Sequence, residues 1–357
     1  MPHFLYVEHP DTLTTRLADH DTVAVDTEFM REKTYFAQLC LVQIATHDEI
    51  FCVDPLTDNE QAAFWAALFA RQWVVHSARQ DIEVVSQTAG AMPDALFDTQ
   101  IAAGLLGHPP QMGYADLVRE LFDVDMAKSH TRADWTKRPL KEAFLDYAAE
   151  DVEHLLPAYE QLGEKLERAG RLAWAQEDSA LLLETKLYDT GAEQAVDRLK
   201  GARNFRGPRR SAAAKLAVWR ENEAIRRNRP RQWILRDSVL LDIAYRRPAT
   251  EAELADIEGM SPKLLARQGT TLLRLIAESA TDDNGYTPPG APDEQQKALL
   301  KTLQARVKRC ADELGIAAET LASRRELATM ILSGRRDSRV FSGWRRDLIG
   351  KDLLALM

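Results

Sequence analysis

The stretch Val23-Ala24-Val25-Asp26-Thr27-Glu28-Phe29 decides how the N-terminal part of this chain is interpreted. It begins with β-branched and small apolar residues, which is typical of a buried strand, and it ends in acids. Side chains two positions apart in a strand point to the same face, so Asp26 and Glu28 are expected to project together. Adjacent carboxylates repel each other unless a cation lies between them. Most such pairs in proteins are solvated surface acids, but oxygen-only ligands of this kind suit Mg²⁺ or Mn²⁺.

Strand and helix patterns alternate around this run. Strand patterns cover residues 4–7, 39–45, 50–53 and 73–76, and helical spacing covers residues 62–69, 81–88, 99–106 and 114–122. A short polar turn between residues 45 and 50 favours an antiparallel hairpin. The alternation predicts an α/β domain with a mixed sheet flanked by helices.

The pattern becomes helical after Pro139. Pro157 is expected to kink or restart the helix there. Two stretches rich in Gly, Pro or polar residues, 201–211 and 279–294, are interpreted as linkers. Two small helical units of similar size are therefore predicted, one between the linkers and one after them.

Two further regions contain acids that could lie near Asp26 and Glu28 in the folded chain. Asp81 follows an apolar strand and opens a helix, where its ordinary role would be helix capping. Tyr147 and Asp151 are four residues apart and share one helix face. Taken alone, that pair is more typical of a half-buried tyrosine beside a surface acid.

Together, these positions resemble the DEDD exonuclease superfamily. Asp26, Glu28, Asp81 and Asp151 follow its order of acids, and Tyr147 indicates the tyrosine-containing branch. The other branch would place histidine where this chain has Asp146.

Local sequence narrows the resemblance to ribonuclease D. The residues quoted for it are Asp26-Thr27-Glu28-Phe29, Arg31, Thr34-Tyr35, Leu39-Cys40-Leu41-Val42-Gln43, Lys128-Ser129, Asp134-Trp135 and Arg138-Pro139-Leu140. Residues 214–220, 228–230 and 257–260 resemble the HRDC module, and the region from about residue 293 resembles a second, more divergent copy.

The resemblance implies a fold, an activity and roles for named residues. The fold would be a ribonuclease H-like exonuclease domain followed by two all-α HRDC-like domains. The activity would be 3′→5′ exoribonuclease action with two divalent ions, Mg²⁺ or Mn²⁺. In that family picture Asp26 contacts both ions, Glu28 and Asp151 complete the site on the nucleophile's side, and Asp81 holds the second ion. Tyr147 would orient the attacking water.

The same resemblance suggests contacts with the terminal nucleotide and a set of domain boundaries. Thr27 and Phe29 are the first candidates, and Gln38, Gln43 and His76 are weaker ones; Phe29 would stack on a base or lie in the core. His76 is also readily explained as a hydrogen-bonded histidine at a strand end. The boundaries are 1–170 for the exonuclease domain, 171–210 for a helical connector, 211–280 for HRDC, 281–293 for a linker and 294–357 for the second copy.

Charge is unevenly distributed along the chain. The net charge is −9, yet residues 198–247 contain fifteen Lys or Arg and only four acids. Local charge governs phosphate binding, although the arginines could instead be paired with nearby acids. Trp219, Trp233 and Trp344 fall at helical positions and are expected to lie in module cores.

These observations predict a monomeric cytoplasmic enzyme that trims RNA with a free 3′ end. Neither a signal peptide nor an apolar stretch of membrane-spanning length is recognised, and the three separated cysteines suggest no disulfide framework. The resemblance implies precursor tRNA as the substrate. Two alternatives stay open: a DNA 3′→5′ exonuclease with the same acids, and a non-catalytic nucleic-acid-binding protein.

Overall fold

The computed structural model describes residues 3–57, 61–126, 133–189, 191–279 and 292–357. The chain divides into two compact units. The first, termed the exonuclease unit, comprises residues 1–30, 38–184 and 292–357, and the second, termed the helical unit, comprises residues 31–37 and 185–291. Within the described ranges, no helix combines the length and apolarity needed to cross a membrane.

Six strands form one mixed sheet in the exonuclease unit. They are β1 (Phe4–Val7), β2 (Thr22–Met30), β3 (Gln38–Ala45), β4 (Ile50–Val53), β5 (Gln72–Val75) and β6 (Ala95–Asp98), in the spatial order β1-β4-β3-β2-β5-β6. The pairs β2–β3 and β3–β4 are antiparallel, and the pairs β1–β4, β2–β5 and β5–β6 are parallel. The predicted mixed sheet and its antiparallel hairpin are confirmed, whereas β6 was not predicted.

Strands β2 and β3 occupy the centre of the sheet because both are rich in apolar residues. Val23, Val25, Leu41 and Ile44 are fully buried. The register pairs Asp26 with Gln43, and it shifts between Glu28 and Phe29. An irregularity of this kind changes the direction in which the neighbouring side chains point.

Helices make up most of the remaining described chain. In chain order they are α1 (Thr14–Ala18), α2 (Ala62–Phe69), α3 (Arg79–Ala89), α4 (Thr99–Leu105), α5 (Tyr114–Phe122), α6 (Glu142–Glu153), α7 (Leu155–Arg168), α8 (Leu172–Leu181), α9 (Gly207–Arg227), α10 (Arg231–Ile234), α11 (Asp237–Arg246), α12 (Glu251–Ala255), α13 (Pro262–Glu278), α14 (Glu294–Leu314), α15 (Ala318–Leu321), α16 (Arg324–Ser333), α17 (Gly343–Arg345) and α18 (Lys351–Leu356). Pro157 lies in the first turn of α7, where a proline is tolerated, and the predicted restart of the helix is confirmed.

The C-terminal helices α14–α18 belong to the exonuclease unit. Leu303, Val307 and Leu353 share a hydrophobic core with Leu105 and Leu162 of α4 and α7. The segment predicted as a second HRDC-like domain, residues 294–357, therefore shares its core with the α/β domain. The linker predicted at residues 281–293 lies almost entirely outside the described residues, and the predicted boundaries stay predictions.

The helical unit contains α9–α13 around its own core. Leu216, Leu240, Ile243, Leu254 and Leu272 are fully buried in it.

The stretch 201–211, predicted as a linker or exposed loop, is not a loop because most of it is helical. Residues Lys200–Asn204 form a 3₁₀ turn, and α9 begins at Gly207 with Pro208 in its first turn, a position that suits proline. Arg210 is buried and donates to the carbonyl oxygen of Ala202 at 3.1 Å, which ties the turn to the helix.

The three tryptophans expected in module cores differ in how far they are buried. Trp344 is buried and stacks on Trp174 with ring centroids 4.4 Å apart, and Trp219 packs against the core of the helical unit. The expectation for Trp233 was wrong, since 60% of this residue is exposed. Its neighbours Ile234 and Leu235 take the core positions instead.

Candidate active site

The first pair of candidate acids lies on β2. Asp26 and Glu28 share one face of the strand, and Thr27 between them is buried. Thr27 donates from its hydroxyl to Oδ1 of Asp81 at 2.5 Å. This hydrogen bond fixes the first turn of α3 against β2, so the acid motif and Asp81 are joined directly.

Asp81 lies in the first turn of α3. Its carboxylate accepts from the Thr27 hydroxyl, from the backbone N–H of Thr27 and from its own backbone N–H. Asp81 therefore interacts with the start of its helix, as expected of an acid there, and is also tied to β2.

The turn that carries Asp81 is held by Asp98, which the sequence analysis missed. Asp98 is buried and accepts from the backbone N–H groups of Ser77 and Ala78 at 3.2 and 2.9 Å. It also caps α4 by accepting from Gln100 N at 2.8 Å. An acid directly before a helical run is a cap signal that could have drawn attention to this residue.

Tyr147 and Asp151 lie one turn apart on α6, as predicted from their spacing. The Tyr147 hydroxyl hydrogen bonds to the Asp151 carboxylate. Burial first, and then the charges of Asp151 and Glu28, raise the pKa of Tyr147 far above its usual value. The phenol therefore keeps its proton at neutral pH.

The four acids act on one another electrostatically. Burial, and then the charges of Asp81, Asp151 and Glu28, raise the pKa of Asp26 well above its usual range. Burial, Asp151 and Asp81 raise the pKa of Glu28 to about 8. Burial is also the main cause that raises the pKa of Asp81 and that of Asp151 to about 7 each. A cluster of this kind holds protons unless a cation replaces them.

The donor set fits hard divalent cations. Four carboxylates supply oxygen ligands only, which suits Mg²⁺ or Mn²⁺ better than softer metals. No group of three or more His, Cys, Asp or Glu side chains in the described ranges stands in a ready arrangement for an ion. The fit therefore rests on the chemistry and mutual charge effects of the acids, and like charges without a cation are expected to stay apart.

Gln43 supports this fit from the neighbouring strand. It is the register partner of Asp26 and is fully buried. Neither its Oε1 nor its Nε2 has a hydrogen-bond partner in the part of the chain that is described. Buried amides without partners are costly, so an unused amide beside Asp26 is a feature to be explained by a ligand or water.

Tyr114 is a second phenol near the acids, and no sequence signal pointed to it. Its hydroxyl accepts from the backbone N–H of His154 at 3.1 Å. Burial raises the pKa of Tyr114 well above its usual value, and the charges of Asp151 and Asp26 add to this.

The predicted contacts for a terminal nucleotide differ in exposure. Phe29 is half-buried and Gln38 is exposed. His76 has both ring nitrogens engaged, Nδ1 with Thr99 Oγ1 and Nε2 with the Met112 carbonyl oxygen, each at 2.9 Å. Burial lowers the pKa of His76, so it is expected to be neutral. These contacts favour the structural interpretation of His76.

The ion pair between Arg138 and Asp54 holds the segment that precedes α6. Arg138 donates through Nη2 to Asp54 Oδ1 and to the Cys40 carbonyl oxygen, each at 2.7 Å, and through Nε to Asp54 Oδ2. Its Nη1 donates to the Trp135 carbonyl oxygen at 2.7 Å. The Trp135 ring packs beside that of Tyr147, with centroids 6.4 Å apart. The motif predicted around Asp134-Trp135 and Arg138-Pro139 therefore anchors the segment that leads into α6, whereas Lys128-Ser129 lies outside the described residues.

Comparisons with known proteins identify two domains in this chain. A family model described as 3′-5′ exonuclease matches residues 7–167, and an HRDC domain model matches residues 210–276. The chain is 38% identical to ribonuclease D of Gluconacetobacter diazotrophicus, covering 96% of this chain and 88% of that protein. It is 35% identical to ribonuclease D of Xanthomonas oryzae pv. oryzae, covering 100% of this chain and 99% of that protein.

A solved structure extends the likeness to the fold. The crystal structure of Escherichia coli RNase D, described as an exoribonuclease involved in structured RNA processing, superposes with a TM-score of 0.90. The two chains are 28% identical over 99% of this chain and 98% of that one.

The predicted family, fold class and enzyme class are thus confirmed. Dependence on divalent metal ions follows from membership of the family. Sequence, fold and domain content together show that the chain belongs to the ribonuclease D family of DEDD 3′-5′ exoribonucleases.

Proposed function

We propose that Asp26, Glu28, Asp81 and Asp151 bind two divalent ions, Mg²⁺ or Mn²⁺, for hydrolysis of the last phosphodiester at the 3′ end of RNA. Each step would release a nucleoside 5′-monophosphate. The observation that carries this proposal is that Asp26 shares one face of β2 with Glu28 and lies close enough to Asp81 and Asp151 for the charges of all three acids to act on it.

The positions of the four acids suggest which metal ion each of them would bind. Asp26 is influenced by all three other acids, which fits a ligand common to both ions. Glu28 and Asp151 would complete the side of the attacking water, and Asp81, steadied by Thr27, would serve the side of the leaving oxygen. When bound, such a pair of ions lowers the pKa of water and neutralises charge on the phosphoryl group.

Tyr147 would position the attacking water. Its pKa is raised, so the phenol stays protonated and is unsuited to act as a general base at neutral pH. Its hydroxyl hydrogen bonds to Asp151, which supports a role beside that ligand.

The terminal nucleotide would contact residues close to β2. Thr27 and Phe29 flank Glu28, and Gln38 lies at the start of the paired strand β3. The half-buried Phe29 ring could stack on the last base. His76 would contribute only by exchanging one of its present hydrogen bonds.

Precursor tRNA with a 3′ extension is the substrate that we propose, acted on by a monomer in the cytoplasm. The family supports RNA as the substrate class, and the Escherichia coli relative is described as acting on structured RNA.

A digestion assay tests the proposal. A tRNA precursor with a short 3′ extension, the same RNA without it, and a DNA strand of the same sequence are incubated with and without Mg²⁺. Mononucleotide release that needs Mg²⁺ and stops near the mature 3′ end would support the proposal. Endonucleolytic products, or preferred degradation of the DNA, would contradict it.

A further inference from the structure

Trp233 is an aromatic side chain that the fold of the helical unit does not use for packing. It lies on the short helix α10, and 60% of it is exposed, whereas the adjacent Ile234 and Leu235 are buried. Burial of a tryptophan contributes strongly to stability, so an indole left in water forgoes that contribution. Its exposure suggests a ligand with an aromatic or cationic face.

Arg229 lies beside the exposed indole. Its guanidinium carbon is 5.9 Å from the centroid of the Trp233 ring. Aromatic rings such as indole, and planar guanidinium groups, both offer surfaces on which nucleic-acid bases stack. The pair can therefore receive an unpaired base on the ring and a phosphate on the cation.

The acids in the basic stretch of residues 198–247 all form ion pairs with arginines. The ion pairs are Arg198 and Arg231 with Glu221, Arg226 and Arg227 with Glu223, Arg220 with Asp237, Arg246 with Asp242, and Arg210 with Asp197. Arg229 and Arg236 are exposed, and neither forms an ion pair within the described chain; Arg229 Nη1 donates to the Lys33 carbonyl oxygen at 3.4 Å. The paired arginines fit the alternative interpretation of the basic stretch, whereas Arg229 and Arg236 fit phosphate binding.

The same chemistry occurs a second time in the helical unit. Tyr245 is 52% exposed, and the guanidinium carbon of Arg209 lies 4.0 Å from its ring centroid. Arg209 Nε also donates to the Tyr245 carbonyl oxygen at 3.1 Å, which holds the cation over the ring. An exposed aromatic ring with an arginine beside it is the combination expected where a single strand binds, and the helical unit contains two of them.

We propose that Trp233, together with Arg229, is a stacking site for an unpaired base of the RNA substrate. The ring would bind any base, because every base has a π face, and Arg229 would bind the neighbouring phosphate. This inference rests on RNA being the substrate, and it is independent of the metal ligands and of which RNA is processed.

The experiment measures binding to the full-length protein in EDTA, where cleavage cannot occur. Two 5′-labelled strands of equal length are compared by fluorescence anisotropy: oligo(A), and a strand with the same backbone but abasic sugars. The variants are Trp233→Ala, Trp233→Phe and, as a matched control, Ile225→Ala, which truncates another exposed apolar residue of the same unit.

The wild-type protein is expected to bind oligo(A) more tightly than the abasic strand. Trp233→Ala should weaken oligo(A) binding about tenfold, the effect of losing one stacked base, and leave abasic binding unchanged. Trp233→Phe should restore most of the loss. Arg229→Ala should weaken binding of both strands and reduce the salt slope by about one.

Three results would overturn the inference. They are equal oligo(A) affinities for Trp233→Ala and Ile225→Ala, equal losses for oligo(A) and abasic strands, and altered self-association by sedimentation with unchanged RNA binding. The last would assign Trp233 to contact with a second copy of the chain. Asp26→Asn should keep the preference for oligo(A), so a failure of the metal-site proposal would leave this result intact.

Discussion

Asp26 faces three other carboxylates, so it is the position where one charge matters most. Asp26→Asn keeps the shape of the side chain and removes its charge. We expect RNA cleavage to fall by at least about 10²–10³-fold, a typical effect of losing one strong charge contact in an active site. Release of nucleotides from 3′-labelled RNA measures this. Glu142→Gln, at an exposed acid in the first turn of α6, is the matched control.

The raised pKa values of the acids also predict how stability depends on pH. The pKa of Glu28 is about 8 and those of Asp81 and Asp151 are about 7, all above the values of an unfolded chain. Without metal, the folded protein therefore binds more protons than the unfolded chain between about pH 4 and pH 8. Their contribution to stability is fully present below about pH 4 and is lost as the pH rises through 7 and 8.

Thermal melts of the wild type and of Asp81→Asn in EDTA, at pH 5.5 and at pH 8, measure this contribution. The quantity compared is the difference in melting temperature between the two proteins at each pH. Relative to the variant, the wild-type protein should lose stability at the higher pH and regain it on addition of Mg²⁺. If the difference in melting temperature does not change with pH, the pKa of Asp81 is not raised in the folded protein.

Tyr147→Phe isolates the hydroxyl that hydrogen bonds to Asp151. Because we assign this hydroxyl to water and not to RNA, turnover should fall by about 10–100-fold with little change in RNA affinity. Single-turnover rates and binding in EDTA separate the two effects. A selective loss of affinity would argue that Tyr147 contacts the substrate.

Among the structural elements, α6 depends on the segment before it. The Asp54 side chain is fully buried. Burial raises the pKa of Asp54, but hydrogen bonds from Arg138 and Tyr6 outweigh it and bring the pKa below its usual value. Arg138 also binds the carbonyl oxygens of Cys40 and Trp135, so it joins β3 to the approach to α6.

Asp54→Ala should therefore lower the free energy of unfolding by about 2–4 kcal/mol, because it leaves the Arg138 charge largely buried without a partner. Chemical denaturation measures this loss. Asp134→Ala, at a partly exposed acid of the same segment, is expected to cost much less. Equal losses would contradict the anchoring role of Asp54.

Across the molecule as a whole, the exonuclease unit depends on contacts between helices that are far apart in the sequence. Arg345 of α17 donates to Asp178 of α8 through Nη1 at 2.5 Å and Nη2 at 2.7 Å, and both side chains are buried. The Trp344 indole donates to the same carboxylate at 3.1 Å. A truncation within the helical unit would remove these partners and expose the shared core.

Asp178→Ala should therefore destabilise the protein by about 3–5 kcal/mol, since it leaves a guanidinium buried without its counter-charge. Replacing both partners by apolar residues of similar volume, Asp178→Leu with Arg345→Met, should cost less than the single change. Denaturation midpoints distinguish the two variants. A larger loss in the double variant would mean that the ion pair itself provides net stability.

Several parts of this molecule could be predicted from local sequence. The α2 and α5 helices have the predicted ends, and Tyr147 and Asp151 share a helix face because four-residue spacing dictates it. Asp26 and Glu28 project together because a strand has a period of two. Each of these features depends only on neighbours within about one turn of helix or a few residues of strand.

Other features could not be predicted from the sequence, because contacts between residues far apart in the chain determine them. Strand β6 is only four residues long and is a strand because it pairs in parallel with β5. Residues 207–211 look like a linker but form the start of α9, where Arg210 finds partners in Ala202 and Asp197. Trp233 has the helical spacing of a core residue, yet Ile234 and Leu235 fill that core.

Local residue patterns thus specified the acids, their order and the family that they indicate. Folding decided which groups surround them: Thr27 on Asp81, Gln43 opposite Asp26, and Tyr114 near Asp151. It also decided that the last helices pack with the first domain. The physical reason is that periodicity and capping are short-range, whereas burial, pKa shifts and core sharing depend on groups brought together from far along the chain.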